Sequence, residues 1–170
     1  MYRVLHTYPF PSPREGEGWV RGLFMGDSAM SKNEEENKGV ARRLADEVFS
    51  KGNMEVFDEI FADSYVMHNM PVPDIPGTKE GFRKLVIATR HAFPDVKVHI
   101  DDIVAEGDFA VFHDHVEATS KGDFMGVPPN NKRIAWTEIH FLRIRDGRIV
   151  EHWANFDQLG VLMQLGAIPS

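Results

Sequence analysis

Cysteine is absent from the 170 residues, which excludes a disulfide scaffold, a thiolate nucleophile and a cysteine-ligated zinc site. A reducing cytoplasm suits such a chain and is the expected location. Positive charge is scarce too: 19 Lys and Arg stand against 26 Asp and Glu, a formal net charge of −7. Nucleic-acid binding needs a basic face, so no nucleic-acid partner is expected. No apolar run approaches the roughly 18 residues that cross a bilayer, so no membrane partner is expected either. What is present is a globular composition, 42% apolar, 26% charged and 11% aromatic. The length suffices for one good core and falls short of two ordinary domains.

Residues 1–32 stand apart from the rest. Pro9, Pro11 and Pro13 alternate, glycines follow, and no apolar period of 2 or 3.6 appears. The stretch lacks the ordered regions of a signal peptide. It reads either as a disordered leader or as a mis-assigned start, with translation beginning at Met30 or Met25. Residues 33–170 then form a single domain.

Within that domain, Ala41, Leu44, Ala45 and Val48 make the stripe of an amphipathic helix, stopped at Gly52-Asn53. Asn53 can cap a second helix through Val56, Phe57, Ile60 and Phe61. "DSYVMHNMP" predicts a short strand. Thr78 can cap a third helix that buries Phe82, Leu85, Val86, Thr89 and Phe93 before Pro94 ends it. The period then changes to two, with Val96, Val98 and Ile100 alternating with polar residues. Long strands are predicted over Phe109–Thr119, Arg133–Arg145 and Arg148–Phe156. The pair Asp146-Gly147 joins the last two, and a type I′ turn needs positive φ at both positions. A short helix follows, with Asp157 as its N-cap. This pattern predicts an α+β fold, three N-terminal helices packed on a curved antiparallel sheet. Long antiparallel strands curl, and the helices close the curl into a cone with a pocket at its wide end.

"FPD" at 93–95, "EGD" at 106–108, "GDFMGVPPNNKRI" at 122–134 and "RIRDGRIVEHWANFDQLGVLMQLG" at 143–166 resemble the SnoaL-like branch of the NTF2-like superfamily, which includes polyketide ester cyclases. The resemblance runs from about Asn37 to Pro169. It implies the NTF2-like cone and intramolecular aldol closure of a polyketide ester, without metal or cofactor. The implied ligand is a small apolar or cyclic organic molecule, and the implied assembly is a homodimer formed through the sheet. It also implies a proton-carrying His on the penultimate strand, which His140 matches, and an acid just after the final-strand Trp. That second position is Ala154, which cannot transfer a proton. The "Y-x-x-H" stretch, Tyr65 to His68, is implied to lie at the pocket.

Read from the residues, a regular two-residue hairpin sets His140 opposite Trp153 and Glu138 opposite Asn155. Side chains alternate, so Trp136, Glu138, His140, Trp153 and Asn155 share one face, and Ala154 pairs with Ile139 on the other. Only a β-bulge would bring position 154 beside His140. The expected acid/base pair is therefore His140 with Glu138, because a neighbouring carboxylate tunes an imidazole that titrates near neutrality. The alternative is a packed core histidine bonded to Glu138. His113 and His115 share a strand face and are expected as polar pocket lining. A metal shared by His68, His113, His115 and His140 is the lesser alternative, and no metal is assigned. Trp136 and Trp153 are expected as an aromatic wall, and Phe124, Met125 and Val127 as a lid. Tyr65, His68, Asn155 and Asp157 complete the expected pocket lining, although capping alone accounts for Asp157. Two functions follow: an acid/base enzyme of cyclase or isomerase type acting on an apolar polyketide-like substrate, or a non-catalytic ligand-binding or dimerisation module. The discriminator is whether His140 and a carboxylate converge within about 3–4 Å in a cavity of roughly 300 Å³ or more; a filled interior would leave only the second reading.

Overall fold

The computed structural model describes residues 32–72 and 74–169, so the expected leader, apart from Lys32, lies outside the described residues. Helix α1 (Lys32–Arg43) passes directly into a π-helical segment, Leu44–Ser50. The predicted stripe is its buried face: Ala41, Leu44, Ala45 and Val48 are all fully buried. Buried Asn37 ties α1 to the sheet, its Nδ2 donating to the Gly107 carbonyl at 2.9 Å. Asn53 caps α2 (Met54–Ile60) by accepting from the Glu55 and Val56 amides, and Thr78 caps α3 (Lys79–Ala92) through the Gly81 amide.

Five strands form the sheet: β1 (Phe61–Met67), β2 (Lys97–Glu106), β3 (Phe109–Thr119), β4 (Arg133–Arg145) and β5 (Arg148–Phe156). Their order is β1-β5-β4-β3-β2. The last four strands are antiparallel as expected, but β1 enters beside β5 and runs parallel to it, so the sheet is mixed. Helix α4 (Gln158–Leu165) closes the chain, with the Asp157 carboxylate accepting from Gly160 N at 2.8 Å. Asp146 and Gly147 adopt φ of 50° and 71°, as the type I′ turn requires.

On β3, Ala110, Phe112, Asp114, Val116 and Ala118 are buried and face the helices. They pair in register with Leu142, His140, Glu138, Trp136 and Ile134 of β4, which share that concave face. The regular hairpin expected between β4 and β5 is interrupted. Ile144 pairs with Ile149 but Arg143 pairs with Glu151, leaving Val150 as an extra residue. This bulge reverses which side chains of β5 point inward.

Candidate active site

The bulge at Val150 assembles the site. Beyond it His152 pairs with Leu142, Ala154 with His140 and Phe156 with Glu138, all toward the helices. Trp153 now pairs with Phe141, and Asn155 with Ile139, on the convex side. The expectation that Trp153 and Asn155 share the face of His140 is therefore corrected by one inserted residue. Position 154 lies beside His140 after all, and its main chain is held at both polar atoms by Asn69. The Asn69 Oδ1 accepts from Ala154 N at 2.9 Å, and its Nδ2 donates to the Ala154 carbonyl.

Five side chains form a continuous hydrogen-bonded line across the concave face. The Tyr65 hydroxyl meets His152 Nδ1 at 3.0 Å, and His152 Nε2 meets His140 Nδ1 at 2.9 Å. His140 Nε2 meets Glu138 Oε2 at 2.8 Å, and Trp136 Nε1 donates to Glu138 Oε1 at 2.5 Å. The two imidazoles and Tyr65 are almost completely buried. Phe112 stacks on His140 with ring centres 4.6 Å apart, and Phe82 meets His152 edge-on at 5.3 Å. Phe49, carried by the π-helical segment, lies 5.6 Å from His140, ring centre to ring centre.

The electrostatics separate these groups. Burial pushes the Glu138 carboxyl up, but the hydrogen bonds from His140 and from the Trp136 N–H outweigh it and hold the group below its usual value. Burial drives Asp114 the other way, to about 7. Asp114 is fully buried, and neither carboxyl oxygen has a hydrogen-bond partner among the described residues. Its Oδ2 lies 3.7 Å from His140 Nε2. Burial depresses His152 well below the ordinary histidine value and keeps it neutral. Burial likewise raises Tyr65, so the phenol keeps its proton.

Glu138, His140 and His152 open onto a cavity of about 110 Å³. Its walls are otherwise mainly apolar, with Phe49, Phe82 and Val86 on the helical side and Val116 and Phe156 on the sheet. Pro71, Val72, Phe124 and Met125 also border it. Phe124 packs on Phe93 at 4.9 Å, and Phe93 packs on Trp136 at 5.6 Å, so the loop is anchored to the core. A carboxylate does stand beside His140, while the volume is below the roughly 300 Å³ typical of ligand pockets, so the cavity suits small molecules.

Of the expected site residues, Trp136, Glu138, His140 and Phe124 line this cavity. Tyr65 is buried behind His152. His68 lies on the convex side, stacked on Trp153 at 4.3 Å and bonded to Glu151 at 2.8 Å. His113 and His115 also point away from the cavity, because the alternate residues Phe112 and Asp114 take the inward phase; both lie near Asp101, at 3.7 and 2.7 Å. Asp157 is an exposed helix cap. The four-histidine metal grouping is thus not assembled. The donors that do converge are Asp114, Glu138 and His140, whose ligand atoms lie within 4.8 Å of one another. Asp114 and His152 were missed from sequence. Asp114 was legible, since period two places it between inward Phe112 and Val116; His152 was hidden by the bulge.

A curved sheet roofed by helices, with ionisable groups on the floor of an apolar cavity, defines this chain as an α+β cone of the NTF2-like class. Residues 39–165 match the SnoaL-like polyketide cyclase family, and the chain belongs to it. Among curated relatives, aklanonic acid methyl ester cyclase DauD of Streptomyces sp. (strain C5) is 28% identical over 139 residues, covering 75% of this chain and 80% of the relative. Aklanonic acid methyl ester cyclase DnrD of Streptomyces peucetius is 31% identical over 101 residues, covering 55% and 65%. Among solved structures, IdmH from Streptomyces antibioticus is 33% identical with a TM-score of 0.66, covering 76% of this chain and 98% of that one. AclR from Streptomyces galilaeus is 27% identical with a TM-score of 0.70, covering 81% and 85%. Among the described residues, no helix is long and apolar enough to cross a membrane.

Proposed function

We propose that this protein is a cofactor-independent enzyme of cyclase or isomerase type, which closes or rearranges an apolar polyketide-like molecule by acid/base chemistry. The observation that carries this reading is the Glu138 carboxylate, 2.8 Å from His140 Nε2 at the floor of an apolar cavity. A general base must be ionised and within reach of the proton it takes, and Glu138 is held ionised on the cavity wall. The Glu138–His140 pair removes a proton from a carbon flanked by carbonyls, leaving an enolate. The enolate carbon attacks a second carbonyl of the same molecule, and the pair returns the proton to the alkoxide formed. No net proton is consumed. The apolar walls shield the enolate from water.

The relatives' names make aklanonic acid methyl ester the first compound to try, together with smaller β-keto esters that suit a 110 Å³ cavity. Mass-neutral conversion to a ring-closed product, followed by chromatography and lost in Glu138→Gln, is the expected result. Wild-type protein that leaves every such compound unchanged would sink the enzyme reading. The second reading, a non-catalytic ligand-binding or dimerisation module, is favoured by Ala154 and by the small cavity. Under both readings we infer a homodimer through the convex sheet face, where Val104, Ile139 and Phe141 are exposed.

A further inference from the structure

We propose that Tyr65 and His152 are positioning residues that impose one direction on the buried hydrogen bonds, running from Tyr65 through His152 and His140 to Glu138. Glu138, rather than the imidazole, is then the group that accepts the substrate proton. This rests on the acid/base reading above and assigns the roles within it.

The direction follows from counting protons. Tyr65 is buried, and its hydroxyl has one hydrogen-bond partner among the described residues, His152 Nδ1. A phenol that retains its proton must donate it there, because a buried O–H left without an acceptor is destabilising. His152 Nδ1 is then a lone pair, and neutral His152 carries its hydrogen on Nε2. That hydrogen points at His140 Nδ1, 2.9 Å away, which must accept it. His140 therefore carries its own hydrogen on Nε2, aimed at Glu138 Oε2 at 2.8 Å. A second proton on His140 Nδ1 would reverse the His152 tautomer and leave the Tyr65 hydrogen without an acceptor. Aromatic contacts from Phe112 and Phe82 hold the rings. The Glu138 carboxylate accepts from His140 and Trp136 and keeps further lone pairs. In the step, the C–H bond breaks, its electron pair stays on carbon as the enolate, and the proton forms an O–H bond on Glu138. The same proton later passes to the alkoxide.

The test is long-range proton–nitrogen NMR on the full chain at neutral pH, with both rings assigned by substitution. Beside it runs deuterium uptake from heavy water at the central carbon of methyl acetoacetate. Wild-type protein should show both His140 and His152 as neutral Nε2–H tautomers. His152→Leu removes the donor to His140 Nδ1, and uptake should fall roughly 10–100-fold with the circular dichroism spectrum unchanged. His152→Gln keeps an N–H donor and should recover much of that loss. Either ring carrying its hydrogen on Nδ1 in the wild type overturns the proposal, as does unchanged uptake in a folded His152→Leu protein. If that variant does not fold, the wild-type tautomers decide alone. The expected tautomers without any deuterium uptake would instead count against the enzyme reading and leave the direction of the bonds intact.

Discussion

His140 and His152 meet nitrogen to nitrogen at 2.9 Å, two almost fully buried imidazoles joined by one hydrogen bond. Only one hydrogen fits between them, and burial keeps His152 neutral. The unfolded chain protonates this residue near pH 6.5 while the folded chain does not. Its contribution is therefore complete above that pH and is lost as pH falls toward the much lower folded value. Urea denaturation of wild type and His152→Gln from pH 8 to 5 should show the wild-type advantage shrinking below about pH 6.5. An advantage constant over that range would contradict the burial argument.

Asp114 acts in the opposite sense. Its folded value is raised to about 7 from 3.8, so its stabilising contribution is present below the unfolded value and is lost as pH rises through about 7. Asp114→Asn removes an ionisable group and supplies an amide donor toward Glu138. The variant should be more stable than wild type at pH 8 by about 1–3 kcal/mol, and by less at pH 5. Lower stability of the variant at pH 8 would point to a bound cation or another partner for this carboxyl.

Deleting Val150 tests the bulge. Without it the ladder becomes regular while Glu151 still pairs with Arg143, His152 with Leu142 and Ala154 with His140, so the same side chains stay inward. The deletion variant should therefore fold cooperatively, whereas inserting one further residue after Val150 should turn His152 outward and destabilise by more than about 4 kcal/mol in denaturant titration. An insertion variant with wild-type stability would show that the register is set elsewhere.

Ala154→Asp places an acid beside His140, at the position where the family resemblance expects one. If the chain retains cyclase-type chemistry, turnover of aklanonic acid methyl ester should rise at least about tenfold. The melting temperature should fall, because a third carboxyl then joins Asp114 and Glu138. No gain in turnover would mean that the existing pair already supplies what that acid provides, or that the chain is not a catalyst.

For the inferred homodimer, Ile139→Glu with Phe141→Glu introduces charge on exposed convex positions. Light scattering after gel filtration should report a dimer for wild type and a monomer for the double variant. A wild-type monomer at micromolar concentration ends the idea.

Much of the architecture was legible because its signals are local. The buried stripe that runs from α1 into the π-helical segment, the Asn53 and Thr78 caps, the Asp146-Gly147 turn and the capping role of Asp157 each depend on a few neighbouring residues. The pairing of Glu138 with His140 was legible for the same reason, two residues apart on one strand. The faces of β5 were not. Val150 is an ordinary strand residue, and nothing in its type marks it as the extra one. The parallel entry of β1 was likewise hidden, since strand direction depends on where the chain returns from the helices. His113 and His115 were assigned to the wrong side although the apolar alternation of Ala110, Phe112, Val116 and Ala118 marks the inward phase of β3.

The clamp of Asn69 on the Ala154 peptide has a consequence for how this site can change. Both polar main-chain atoms of residue 154 are tied to a side chain outside the strand, so the backbone there need not answer to the side chain it carries. Such a position behaves as a socket, where an acid can be fitted or withdrawn while the surrounding frame keeps its shape. On the proposed acid/base reading, reactivity could then be exchanged at this one residue.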